Sequence, residues 1–356
     1  MSSATRRIAI GFCLLLPAWA LAASKPAIVY GLGGKYDNAI NQQVYEQGVQ
    51  RFSKETGVAV TEREPAGNAE RQQMVRELAK QGFNPIVLVG DSEPSSLLTV
   101  ADEFPKTRFT LLDAQLAKPN VRSLLFNEQE AAFLIGAMAA AESETGIIGF
   151  VGGMDLPAIR RYACGYEQGA RYANPSIEIK QAYVTSTPNM AFNDPAKGTF
   201  VAKGLIDDGA DILFAAARGT GKAVYQAAAD ASVKAIGSDY NQNSLYPGTM
   251  LTSLYKNLPL AAYLALEEGE TGTWQAGARH LGLADDYVGW ALDKQNQDLL
   301  SPALRAKLEE LRVDILTGKI QVHDYLQDGL CALKKPQQGA LCPPQEQRQP
   351  GGLCKS

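Results

Sequence analysis

Residues 145–179, TGIIGFVGGMDLPAIRRYACGYEQGARYANPSIEI, hold a strand, a glycine turn, a capped helix and a second strand in one short stretch. Ile147, Ile148, Phe150 and Val151 form an apolar run that stops at Gly152 and Gly153. Asp155 then stands where an N-cap belongs, and Pro157 suits the first helical turn because its missing N–H would have no partner there anyway. A strand feeding a helix through a glycine turn is the unit of a parallel sheet. The ligand-facing loops of such a sheet lie at the carboxyl ends of its strands.

Outward from this stretch the same alternation repeats. Upstream, β-rich runs at 27–30, 58–62, 86–89, 108–112 and 121–125 are separated by helical patterns at 41–56, 69–81 and 95–104. A second series opens with a helix at 128–141 and continues through strands at 147–151, 177–184, 212–215, 234–237 and 250–254. Strand-like runs at 278–283 and 287–292 follow. A helix at 301–317, with Leu304, Leu308, Leu311 and Ile315 three or four apart, closes the pattern. The reading is α/β, with two similar lobes in tandem and a ligand between them.

The first 22 residues read as an export signal. Arg6 and Arg7 precede the apolar run Ile8 to Leu16, and Ala20-Leu21-Ala22 offers a small-residue cleavage site before Ala23. The run is shorter than the ~20 apolar residues that a spanning helix needs. The full chain carries a net charge of −4, and becomes more acidic once the leader arginines are gone, so nothing suggests a nucleic-acid partner. Past the leader the cysteines are Cys164, Cys331, Cys342 and Cys354, which allow three complete pairings. The last three stand among Pro336, Pro343, Pro344 and Pro350, so a disulfide bridge within an irregular tail is expected. The only histidines, His280 and His323, lack ligand spacing to a cysteine pair, and no metal is expected.

Three motif matches fail. Gly31-Leu32-Gly33-Gly34 would need a third glycine at Tyr36 to make a dinucleotide fingerprint, and Gly221-Lys222 lacks both the first glycine and the closing hydroxyl of a P-loop. No Gly-x-Ser-x-Gly elbow or His-Glu-x-x-His helix is present, so no catalytic residue and no cofactor are assigned. Asp37, Asp113 and Asp239 could in principle pair as acid and base, but a hydrogen-bonding role at strand ends explains them without a reaction.

Read together, the 145–179 stretch, AFNDPAKG at 191–198, GADILF…GTG across 209–221 and IGSDYNQ at 236–242 resemble the basic membrane protein family, from about Tyr30 to about Leu266. That family comprises substrate-binding components of ABC importers, typified by purine-nucleoside binders. The resemblance implies the two-lobed type I periplasmic binding fold, each lobe a parallel sheet flanked by helices. On that fold the chain crosses between lobes near Asn127, Lys256 and Asp286. The lobes are then 23–127 plus 256–285 and 128–255 plus 286–328, with a Cys/Pro-rich tail at 329–356. It further implies a monomer that delivers a small molecule to an inner-membrane ABC permease. Many members are lipoproteins, but Cys13 lies inside the apolar run without a lipobox, so a soluble periplasmic protein is expected.

A nucleoside needs flat apolar or aromatic plates, an orienting acceptor and carboxylates for its vicinal hydroxyls. Tyr36-Asp37-Asn38-Ala39-Ile40-Asn41 resembles the family's first ligand loop, with Asp37 at the ligand-contacting aspartate and Asn41 beside it; helix capping is the other role open to Asp37. Asp113 matches the aspartate that orients the base, Asp239 the one that binds ribose hydroxyls, and Lys256 the lysine that joins it. Phe214 could stack on a flat ligand or fill the core. Gly219 and Gly221 would let the loop backbone approach a ligand or enter a helix. Tyr36, Ile40 and Arg218 depart from the family pattern, and Arg218 adds a planar cation able to pair with an anionic group. A receptor for another small polar or anionic ligand, and a ligand-presenting sensory module, are the alternatives.

Overall fold

The computed structural model describes residues 24–331, except 38, 91–93 and 186. The leader and most of the tail, including Cys342 and Cys354, lie outside the described residues. Among the described residues twelve strands form two six-stranded sheets: β1 (Ala27–Val29), β2 (Thr61–Arg63), β3 (Ile86–Leu88), β4 (Phe109–Leu112), β5 (Val121–Phe126), β6 (Ile147–Gly152), β7 (Glu178–Tyr183), β8 (Ile212–Ala216), β9 (Lys234–Gly237), β10 (Met250–Lys256), β11 (Gly277–Leu281) and β12 (Val288–Trp290).

The first sheet runs β11-β5-β4-β3-β1-β2 and the second β12-β10-β9-β8-β6-β7, so the two have the same winding. Every pairing is parallel except β10 with β12. The central strands β1, β3, β4 and β8 are buried throughout, because helices cover both faces and leave no polar side to the pleat. The edge strand β7, EIKQAY, has no fully buried position and is correspondingly polar. This is the expected α/β, doubly wound, two-sheet architecture of the type I binding fold.

Elements differ from the sequence reading in places. β2 starts at Thr61 rather than at 58, since 58–60 lead into the sheet unpaired. Helices Pro195–Asp207 and Leu258–Thr271 add to the elements read from sequence, and Gly221–Asp230 realises the helix entry left open at Gly221. Asp194 and Asn257 cap two of them through their side chains, accepting from the Lys197 and Leu260 amides. The expected cap at Asp155 is absent: its carboxylate pairs with Arg160 instead, and the helix Pro157–Ala173 starts from Leu156 in an extended conformation.

The helix Glu128–Glu142 packs along Pro157–Ala173 at very short range. A methyl group on Gly136 would strike the Tyr166 carbonyl, and one on Gly169 would strike that of Phe133. Glycine at these places is a packing requirement, not a conformational one.

The disulfide differs from the expected tail bridge. Cys164 on Pro157–Ala173 joins Cys331 across a sequence separation of 167, with Cα atoms 5.3 Å apart. Arg161, Cys164 and Gln168 share one face of that helix, being three and four residues apart. All three hold the segment that follows helix Pro302–Leu316. Arg161 grips Asp324, and Gln168 exchanges hydrogen bonds with the His323 backbone at 2.9 and 2.8 Å. Among the described residues no helix is long and apolar enough to cross a membrane.

Candidate functional site

The carboxyl ends of both sheets point chemistry into one region. β4 ends at Leu112, and Asp113 turns away with φ 66; Asp239 does the same after β9 with φ 72. Aspartate tolerates this left-handed backbone better than most residues, which is a local reason for Asp at both positions.

Lys256, the last residue of β10, lies between these two aspartates. Its Nζ stands 2.5 Å from Asp113 Oδ2, 3.6 Å from Asp239 Oδ1 and 3.5 Å from Glu128 Oε1. The side chain is only 11% exposed. Burial by itself lowers the lysine pKa, but Asp113, Tyr162, Asp239 and Glu128 outweigh it and hold the ammonium well above its ordinary value. Lys256 is therefore a charged group held among three carboxylates. Tyr162 donates to Asp239 Oδ1 at 3.0 Å, and burial, then the Asp239 charge, raise its phenol well above the usual value.

Behind this cluster Glu128 also pairs with Arg161, Oε2 to Nη1 at 2.7 Å. Arg161 further donates to the Phe126 carbonyl at 2.5 Å and to both oxygens of Asp324 at 2.9 and 2.6 Å. Burial opposes its charge, while Glu128 and Asp324 more than offset that and raise its pKa. Sequence reading missed Glu128, Arg161, Tyr162 and Asp324, which come from distant places in the chain.

In the first loop, Asp37 accepts from the amides of Ala39, Asn41 and Gln42 at 2.8, 3.2 and 3.2 Å, the capping role open to it from sequence. Its charge also reaches across the two sheets: burial first, then Asp239 and Asp37, raise the Tyr240 phenol. Asn41 is buried and spends its amide on the Gly31 backbone, at 3.1 and 3.3 Å. Ile40 packs on the core, whereas Tyr36 is 62% exposed and edge-on to Tyr45 at 5.7 Å.

Of the two roles open to Phe214, the structure places it in the core: its side chain is fully buried and packs against Phe150, Tyr162 and Tyr166 at 5.5, 6.2 and 5.3 Å. Arg218, with φ 47, is exposed and lies over the Phe192 ring at 5.3 Å. Gly219 faces the Phe192 carbonyl and Gly221 the Tyr225 hydroxyl, each at a distance where a β-carbon would be tight. Phe192, also missed from sequence, wedges between Gly153 and the Arg218 turn.

Comparison with known proteins gives this geometry a family. The family described as Bmp, ABC transporter substrate-binding protein PnrA-like, matches residues 27–325. An uncharacterized lipoprotein of Pyrococcus horikoshii is 32% identical over 307 residues, 82% of this chain and 74% of its own. Basic membrane protein B of Borreliella burgdorferi is 33% identical over 223 residues, 60% of this chain and 64% of its own. Among solved structures, an ABC transporter solute-binding protein of Aeropyrum pernix superposes with TM-score 0.71 at 26% identity, covering 84% of this chain and 92% of that one. The Pyrococcus relative is named a lipoprotein, and this overturns the expectation of a soluble periplasmic protein without a lipid anchor. That expectation rested on the leader alone, which lies outside the described residues. The match over 27–325 and the shared two-sheet fold establish that this chain belongs to the Bmp family of PnrA-like ABC transporter substrate-binding proteins.

Proposed function

We propose that the chain closes its two lobes, 23–127 plus 256–285 and 128–255 plus 286–328, around a purine nucleoside and hands it to a membrane permease. It acts as a monomer that catalyses no reaction, and residues 1–22 direct its export. The observation that carries this reading is the buried Lys256 ammonium shared by Asp113 and Asp239, which follow strands of different sheets. Ionised carboxylates are acceptors only, and vicinal hydroxyls with base-edge N–H groups are the matching donors. Asp37 and Glu128 add further negative charge nearby, which disfavours a phosphorylated ligand. Tyr36 and Tyr240 supply aromatic surface at the same end of the sheets.

Isothermal titration of ligand-stripped protein with inosine, guanosine, adenosine and free purines tests the proposal. One-to-one binding of a nucleoside is expected. Silence from all of these would sink the nucleoside and leave the family intact.

A second reading follows from Arg218, whose exposed guanidinium already stacks on Phe192 and suits an anionic group at the cleft mouth. Arg218→Gly would then abolish binding, whereas it should change nucleoside affinity little.

A further inference from the structure

Lys256 is contested by three carboxylates, and the geometry decides which of them holds it. Asp113 sits at 2.5 Å, whereas Glu128 and Asp239 stand at 3.5 and 3.6 Å. Glu128 is the more deeply buried competitor, 6% exposed, and an unpaired carboxylate there would draw the ammonium to itself. What occupies Glu128 is Arg161, through Oε2, leaving only Oε1 turned toward the lysine.

Arg161 is itself fixed from three directions. It is 5% exposed, its fork is matched by both oxygens of Asp324, and one Nη1 hydrogen bond reaches the Phe126 carbonyl at the end of β5. Asp324 in turn lies in the segment that the His323–Gln168 hydrogen bonds and the Cys164–Cys331 disulfide fasten to the same helix face. A planar, bidentate guanidinium suits this task better than a point charge, because it serves Glu128, Asp324 and a carbonyl at once.

From this we infer that Arg161, oriented by Asp324, is a positioning residue for ligand binding: by satisfying Glu128 it leaves Lys256 on Asp113 and sets the carboxylates that receive the ligand. The inference rests on the proposed ligand site at Lys256, though not on the ligand being a nucleoside. Neither Arg161 nor Asp324 needs to touch the ligand. Their effect travels through Glu128 to the lysine.

The test is a double-mutant cycle read in two ways. In Arg161→Met, inosine affinity measured by titration should fall by about tenfold or more, in the range of a lost buried charge partner. Adding Glu128→Gln to it should restore most of the loss, because no uncompensated carboxylate remains to capture the lysine, with Glu128→Gln alone as the reference for that rescue. The second reading is the ligand-free crystal structure of Arg161→Met, in which Lys256 Nζ should lie within hydrogen-bonding distance of Glu128 and have left Asp113. Should Arg161→Met fail to fold, Arg161→Lys keeps the charge without the fork and should show the same shift and the same rescue, smaller in size. Unchanged affinity, a loss that Glu128→Gln does not relieve, or a lysine still seated on Asp113 in the variant crystal would each overturn the inference. If wild-type protein ignores every nucleoside, that reading of the ligand fails, and the position of Lys256 in the variant crystal still decides this one.

Discussion

Lys256 and Asp113 meet at 2.5 Å although one closes a strand of the second sheet and the other follows a strand of the first. This ion pair of the candidate site is thus also a contact between the two halves of the molecule. Loss of either partner should affect binding and the seating of the halves together.

Lys256→Met is expected to leave Asp113, Asp239 and Glu128 without their shared cation. Removing one partner of a buried charge cluster costs about 3–5 kcal/mol. Chemical denaturation at neutral pH should show a loss of that size. The sign with pH follows from the raised lysine pKa: the contribution is complete below the unfolded-state value and fades only as strongly alkaline pH approaches the folded one. Wild type and variant should therefore differ fully at pH 7 and converge above the ordinary lysine range. A constant gap at all alkaline pH values would contradict the assignment.

Phe214→Ala separates support from contact. The ring is fully buried among Phe150, Tyr162 and Tyr166, so its removal should cost about 3–5 kcal/mol of stability. Ligand affinity of the protein that remains folded should fall far less than in Asp113→Asn. A stacking role would reverse that order in a titration.

Cys164→Ser with Cys331→Ser should lower stability by about 2–5 kcal/mol, as for removal of a native disulfide that closes a long loop. Reductant should shift wild type by a similar amount and leave the variant where it is. Melting curves with and without reductant report both.

Glu142 ends the helix Glu128–Glu142, and its Oε1 is buried with no hydrogen-bond partner among the described residues. Burial raises its pKa above the usual carboxylate value, with Lys234 opposing. The folded state therefore disfavours the ionised form, a cost present at neutral pH that vanishes as pH falls below the unfolded-state value. Glu142→Gln should stabilise the protein at pH 7 and lose that advantage near pH 4. Thermal unfolding at the two pH values checks the crossover.

The two-sheet fold was legible because β1, β3, β4, β6, β8 and β9 are short apolar runs punctuated by glycine or aspartate, and burial on both faces demands such runs. Asp113, Asp239 and Lys256 each stand where a strand stops, but it was the resemblance to the family, not that position, that singled them out. Helix Pro195–Asp207 escaped because Phe200 on its surface is 70% exposed and blurs the apolar face. Leu258–Thr271 escaped because it is apolar on nearly every side. The Glu128, Arg161 and Asp324 cluster has no local signal at all: its members meet only after the chain has crossed between sheets, and the same holds for Cys164 and Cys331. Phe214 sits at a strand position that reads equally well as plate or core, and only the ring of aromatics around it decides.

The strand order carries a consequence for synthesis. β11 pairs with β5 at the edge of the first sheet, yet it begins at Gly277, after ten strands including most of the second sheet have been made. A nascent chain emerging from its amino end therefore cannot finish the first half before most of the second has appeared. The half begun earliest is completed by a strand delivered late.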